Sequence, residues 1–224
     1  MEAPILHTIH DQKLWLTAQR SVFWEAQKAL IVSDLHFGKT GHFRKSGIPV
    51  PQSVFKEDLQ RLVHQLQFFQ PKLLLVVGDL FHSVANKELD LFSKWRHDFP
   101  HLDIHLVKGN HDILKESWYQ SAGISLFKDG LNINGFCFTH DNLDCFSEAQ
   151  HKSGAARYTI SGHIHPGVRV KSAGKQSLCL PCFYFGKDFA ILPAFSRFTG
   201  TAVIDAKTGD KIFALVNHSI VEVC

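Results

Sequence analysis

The sequence predicts an α/β fold in which two packed mixed β-sheets are flanked by helices. Three observations predict it. Leu73-Leu74-Leu75-Val76-Val77 is an apolar run too short for a helix, reads as a strand buried on both faces, and ends in Gly78-Asp79. An amphipathic stretch separates it from the earlier run Ala29–Ser33, and strand, helix and strand together imply parallel pairing with a right-handed crossover. Beyond Ile124 the pattern changes to short β segments and turns, which supply the second sheet.

Taken in order, Ile5–Ile9 and Leu14–Thr17 form an edge hairpin around His10-Asp11-Gln12-Lys13, and Ser21–Trp24 is a further short strand. Ala29–Ser33 is the first buried strand and leads into Asp34-Leu35-His36. If the chain stays extended there, residues at i and i+2 point the same way and both side chains reach one ion. The loop from Phe37 to Pro51 is rich in Gly and Pro. Gln52–Phe69 then carries Val54, Phe55, Leu59, Leu62, Val63 and Leu66 at helical spacing, with Pro71 beyond its end. After Asp79 come a second helix over Lys87–His97, a strand over Asp103–Val107 and a short helix over Ile113–Gln120. Strands follow at Ile124–Phe127, Leu131–Ile133, Phe136–Thr139 and Arg157–Ser161, then shorter ones from Val168 to Val223. No repeat, linker or low-complexity tract divides residues 1–224, so one domain is expected.

Composition excludes several classes. A net charge of +3 is too small to demand a nucleic-acid partner by itself, but its distribution is uneven. No acidic residue occurs from Leu35 to Lys56, where Lys39, Arg44, Lys45 and Lys56 lie, nor from Ala149 to Lys187, which holds six basic residues. A positive rim facing an anionic substrate fits this pattern; solvated loops that happen to lack acids are the alternative. Five cysteines do not make a secreted disulfide scaffold in a chain this long, and Cys179-Leu180-Pro181-Cys182 has no second pair at zinc-site distance. No secretory signal and no membrane-spanning run is visible, so a cytoplasmic protein with no membrane partner is expected.

The chemistry sits where the strands end. In open α/β sheets ligands bind beyond the carboxyl ends of the strands. The polar residues delivered there are Asp34, His36, Asp79, Asn110, His111, His140, His163 and His165. Two catalytic ions about 3.5–4 Å apart need a bridging carboxylate, here read as Asp79, with neutral nitrogen ligands and open positions. Oxygen and imidazole donors without thiolate suit two divalent cations, Mn²⁺ or Fe, with Zn²⁺ as an alternative. A single histidine after a strand is usually solvated, and the chain has fifteen; it is the ordered set that carries weight.

The blocks Asp34-Leu35-His36, Gly78-Asp79, Gly109-Asn110-His111-Asp112, Thr139-His140 and Gly162-His163-Ile164-His165 resemble those of the calcineurin-like metallophosphoesterases. The resemblance implies their αββα sandwich. It also implies that Asp34, His36, Asp79 and His165 hold one ion, while Asp79, Asn110, His140 and His163 hold the other. His111 would contact the phosphoryl group and assist the leaving oxygen, and Asp112 would orient its imidazole. The nucleophile would be a metal-bound hydroxide. Many family members carry Asn or an acidic residue soon after the second aspartate, where this chain has Leu80-Phe81-His82.

The longer stretches Asp34–Lys39, Phe43–Pro51, Gly78–Ser83, Gly162–Pro166 and Leu192–Phe195 are similar to those of the bacterial ligase-associated DNA damage response endonucleases. That similarity implies a Mn²⁺-dependent nuclease acting on DNA in repair, with an ATP-dependent DNA ligase and a helicase as partners. Lys39, Arg44 and Lys45 would then contact substrate phosphates. A small-molecule phosphatase or phosphodiesterase on the same metal centre is the alternative, and a metal-free scaffold on the same fold the third reading.

Overall fold

Residues 2–39, 53–82, 87–141, 158–171 and 177–223 are described by the computed structural model. The first sheet runs in sequence order: β1 (Ile5–Ile9), β2 (Gln12–Thr17), β3 (Ser21–Trp24), β4 (Ala29–Val32), β5 (Leu73–Val77), β6 (Asp103–Val107) and β7 (Ile124–Phe127). β1 to β4 form an antiparallel meander, and β4 to β7 are parallel. The parallel strands are joined through helices α1 (Ser53–Phe69), α2 (Lys87–His97) and α3 (Glu116–Ser121). Because every crossover steps the same way across the sheet, a constant right hand puts all three helices on one face.

Side-chain alternation explains the unbroken apolar runs. Leu30 and Val32 of β4 and Leu74 and Val76 of β5 pack with Leu62, Leu66, Phe92 and Trp95 of the helices. Their neighbours Ala29, Ile31, Leu75 and Val77 face the other way, into the core shared with the second sheet. Each strand is therefore apolar at every position, because a period of two serves two cores.

The second sheet is built from β8 (Leu131–Ile133), β9 (Phe136–Phe138), β10 (Tyr158–Ser161), β11 (Pro166–Lys171), β12 (Ser177–Phe185), β13 (Phe189–Ile191), β14 (Ala202–Val203), β15 (Lys211–Val216) and β16 (Ser219–Glu222). Its order is β14-β11-β12-β13-β10-β9-β8, with β15 and β16 added beside β12. β9, β10 and β13 are parallel and the rest mostly antiparallel, so both sheets are mixed as expected. Phe136, Phe138, Phe183, Phe185 and Phe213 fill the space between the sheets. Among the described residues no helix covers the outer face of the second sheet, where Cys182, Tyr184, Ile191 and Ile212 form a smaller core. Cys182 is buried there and Cys179 exposed, on opposite faces of β12, so the pair cannot chelate one ion. Among the described residues no helix is long and apolar enough to cross a membrane.

Among the element boundaries that differ from the sequence reading, two have clear local reasons. The first hairpin closes through two residues, since Ile9 pairs with Gln12. His10 and Asp11 take φ of 47° and 61°, the paired positive values of a tight primed turn. The third helix starts at Glu116 rather than Ile113, because Asp112 and Ile113 are held in turns by the carbonyls of Gly109 and His111.

Trp24 ties the layers together. It is fully buried, its ring centroid lies 5.0 Å from Phe136 and 6.1 Å from Phe138 across the sheets, and its indole N–H donates to Gln12 Oε1 at 2.9 Å. Trp24→Ala is expected to cost roughly 3–5 kcal/mol, read as a lowered urea midpoint. A loss under about 1 kcal/mol would show that the sheets do not depend on this contact.

Candidate metal centre at the strand ends

The parallel strands of both sheets deliver their carboxyl ends to one place. β4 is followed by Asp34 and His36, β5 by Asp79, β6 by Asn110 and His111, β9 by His140, and β10 by His163 and His165. Main-chain pairing continues past the strands: Asp34 N–H donates to Gly78 O at 3.2 Å, His36 N–H to Asp79 O at 2.9 Å, and Gly162 N–H to His140 O at 3.2 Å.

The backbone is not extended there. Asp34, His36, Asp79, His163 and His165 all have φ between 50° and 65°. The extended geometry expected for Asp34 and His36 is thus corrected, for β4 stops at Val32 and each residue turns the chain. Such left-handed positions cost of order 1–3 kcal/mol each in residues with a Cβ, and they concentrate where side chains must converge. Gly78, at φ 81°, is needed for a second reason: a Cβ on it would lie 1.8 Å from His140 Nδ1.

Two sets of donor atoms result. Asp34, His36 and His165 form one, Asp34, Asp79 and His140 the other, with donor atoms in each within 4.8 Å of one another. Asp34 belongs to both sets, whereas the sequence reading gave the shared place to Asp79. Asp79 Oδ2 lies 3.5 Å from His140 Nε2 and 3.9 Å from His36 Nδ1, so both carboxylates stand between the two sets. Asn110 Oδ1 at 3.0 Å and His163 Nδ1 at 3.1 Å also converge on His140 Nε2. All seven residues expected to hold metal are brought together. Asp34, His36, Asp79 and His140 are buried, His165 is half-buried, and Asn110 and His163 are exposed, so the group has a buried floor and an open mouth.

Protonation suits cation binding. Burial lowers the His36 imidazole to about 3, leaving it neutral with a lone pair to give. Burial acts to raise Asp79, but the hydrogen bond and charge of His140 hold it down at about 2. For His140 burial acts downward and is outweighed by Asp79, which holds the imidazole up at about 9. The attraction that draws a proton to this pair would draw a divalent cation. His140 Nδ1 faces Val77 O at 3.4 Å, which leaves Nε2 directed at the other donors. Asp34 Oδ1 and His36 Nδ1 are buried without a hydrogen-bond partner, as a ligand atom is before it meets its ion. These residues fit divalent cations.

The remaining expected site residues are distributed unevenly. His111 is half-buried; its main-chain N–H donates to Asp79 Oδ1 at 2.9 Å and its ring centroid lies 5.5 Å from that of His36. Asp112 is fully buried and accepts from Phe81 N–H at 3.0 Å and Gly109 N–H at 2.9 Å. Burial pushes its carboxyl up to about 7 against those hydrogen bonds. Among the described contacts none joins the Asp112 carboxylate to the His111 ring, so its observed work is to hold the loops after β5 and β6 together. Lys39 is half-buried, with burial lowering its ammonium and Asp34 and Asp79 opposing that. Arg44 and Lys45 lie outside the described residues.

Two features went unassigned from sequence. His82 places its ring 4.1 Å from that of His111 and 5.4 Å from that of His36. Asp58, Arg61 and Gln65 are buried on α1, at the helical spacing of the apolar set beside them. That spacing was the available signal, since three polar residues in step with Leu59, Leu62 and Leu66 belong to the buried face.

Gly109 permits the closest approach in the site. A Cβ there would fall 2.4 Å from the Asp79 amide nitrogen and 2.2 Å from its Oδ1. Gly109→Ala is therefore expected to displace Asp79 and weaken Mn²⁺ binding about tenfold or more in a calorimetric titration of the folded variant. Unchanged affinity would mean that Asp79 is not held against this loop.

The family model for calcineurin-like phosphoesterases matches residues 28–172, which span every strand end from Asp34 to His165. No curated protein matches the chain in sequence. Among solved structures, the crystal structure of the Pseudomonas putida nuclease MPE is similar, with a TM-score of 0.78 at 25% identity over 95% of this chain and 96% of that one. With more than half of its length matched and the donor sets in place, the chain belongs to the calcineurin-like phosphoesterase family.

Proposed function

We propose that this protein hydrolyses phosphodiester bonds with two divalent cations and that its substrate is DNA. The observation that carries the reading is the convergence of Asp34, His36, Asp79, His140 and His165 in two overlapping donor sets, with the exposed Asn110 and His163 at their mouth and His111 beside them. Asp34, His36, Asp79 and His165 would hold one cation, and Asp79, Asn110, His140 and His163 the other. Oxygen and imidazole donors without thiolate suit Mn²⁺ or Fe, and the resemblance to Mn²⁺-dependent endonucleases favours Mn²⁺. Bound there, the cations would neutralise nonbridging phosphate oxygens and acidify water near neutral pH.

The chain's own residues divide the rest of the work. Asp34 and Asp79 would offset only part of the charge of two divalent cations, so a phosphate entering beside them would meet net attraction. Asn110 and the imidazoles donate without adding negative charge. His111 is anchored by its own amide to Asp79 beside the donor sets, where its imidazole, when protonated, can give a proton to the leaving oxygen. His82, packed on that ring, restricts its orientation. Asp112 steadies the loops that carry Asp79 and His111. The similar Pseudomonas putida protein is a nuclease, which favours DNA over a small ester as the substrate here. Lys39, Arg44 and Lys45 would then meet backbone phosphates. A role in DNA repair beside an ATP-dependent ligase and a helicase follows from the resemblance of the longer sequence stretches.

His111→Ala is expected to keep its metal and lose roughly 10²–10⁴-fold in rate on DNA, with a smaller loss on a diester whose leaving group is already acidic. Rates on both substrates, with metal content, test this; equal losses would make His111 a phosphate-positioning group.

DNA affinity should fall with salt by about 0.7–0.9 log unit per phosphate contact for each log unit of salt. Neutralising Arg44 and Lys45 together should flatten that slope and impair DNA cleavage while sparing a small diester. Equal losses on both substrates would make the loop part of the active site rather than a DNA track, and no change on either would return the reading to a small-molecule phosphodiesterase.

A further inference from the structure

The buried charges of α1 reach the metal centre through a loop. Arg61 Nη2 donates to Asp58 Oδ1 at 2.6 Å and to Phe195 O, and its guanidinium carbon sits 4.1 Å from the Phe195 ring centroid. From the turn between β2 and β3, Arg20 Nη1 donates to Ala194 O at 3.0 Å and Ser196 O at 2.8 Å. Asp58 also accepts from the Ser196 hydroxyl and the Arg197 N–H. Three consecutive carbonyls of the segment after β13 are thus held by two arginines, and its next two donors by one carboxylate.

That segment holds the first donor residue in turn. Phe195 N–H donates to Ser33 O at 2.7 Å, Ser196 N–H to Asp34 O at 3.2 Å, and Leu192 N–H to Ser161 O at 2.8 Å. Asp34 stands in a left-handed conformation at φ 52°, one that a residue with a Cβ keeps only when its surroundings fix it. A buried ion pair is costly to desolvate and is often no more stable than an apolar pair of the same volume. Stability is therefore a poor reason for placing Asp58, at 3% exposure, and Arg61, at 7%, on the buried face of a helix.

We infer that Arg61, Asp58 and Arg20 form a positioning clamp for Asp34, acting through the backbone of Ala194, Phe195 and Ser196, and thereby set the affinity of the cation site. They are positioning residues, since none of them belongs to a donor set. The effect on affinity rests on the reading that Asp34 holds a cation; the clamp on the loop does not.

The test compares three variants of the full chain with the wild type: Arg20→Ala, the pair Asp58→Leu with Arg61→Leu, and Leu215→Ala. The paired change removes both charges together, so no buried charge is left alone. Leu215 is a buried residue of β15 in the core between the sheets, whereas Phe195 and the helix residues beside the clamp belong to the other core. Amide hydrogen exchange at Phe195 and Ser196 is measured in metal-free protein, and Mn²⁺ affinity by titration. Both clamp variants should exchange at these amides at least about tenfold faster and bind Mn²⁺ about 10–100-fold more weakly, while Leu215→Ala changes neither. If the paired variant does not fold, Arg20→Ala decides alone. Wild-type exchange in a folded clamp variant would overturn the clamp. Faster exchange with unchanged affinity would overturn its link to the cation site, as would an equal loss of affinity in Leu215→Ala. If the wild type binds no Mn²⁺, the metal reading itself fails, and the exchange result still decides the clamp.

Discussion

Two carboxylates buried side by side are the constraint on which the structure depends. Asp34 and Asp79 are 0% and 2% exposed, and they share a donor set whose atoms lie within 4.8 Å of one another. Two negative charges at that spacing in a low-dielectric floor repel strongly unless something positive stands between them. The chain answers with main-chain donors first: His163 N–H reaches Asp34 Oδ2 at 3.1 Å and His111 N–H reaches Asp79 Oδ1 at 2.9 Å. It then adds imidazoles, of which His140 and His165 come within 3.5 Å and 3.3 Å of a carboxylate oxygen. What remains is a charge deficit that divalent cations are suited to fill.

The rest of the fold can be understood as support for that floor. A sandwich with two cores makes β4, β5 and β6 rigid over their whole length, so the residues just beyond them start from fixed points. Glycines at 78, 109 and 162 let loops pass within contact distance of His140, Asp79 and Asp34, where any side chain would collide. Left-handed turns at five of the donor residues aim their side chains inward, at an energetic cost the packed layers must offset. Function is thus concentrated where local rules are broken, and the breakage is tolerated because the two cores beneath it are regular.

How much of this was legible in the sequence depends on whether the signal was local. β5 could be read to the residue, because a five-residue apolar run flanked by turn residues is too short for a helix. Which polar residues meet was legible too, since each of Asp34, Asp79, Asn110, His140 and His163 follows the end of a strand. How they meet was not. The left-handed backbone at Asp34 and His36, the place of Asp34 in both donor sets and the attachment of Asp112 to main-chain amides depend on loops packing against each other. Arg61 was hidden for a related reason: a charged residue on an amphipathic helix is normally assigned to water, and its partner, the Phe195 carbonyl, lies 134 residues away.

The central claim is that two cations share Asp79, with Asp34 on one of them, and anomalous scattering from crystals grown with Mn²⁺ tests it most directly. Two peaks about 3.5–4 Å apart are predicted, one beside His36 and His165 and the other beside Asn110, His140 and His163, with a carboxylate between them. A single peak, or two peaks that leave Asp34 and Asp79 without a metal neighbour, would contradict it.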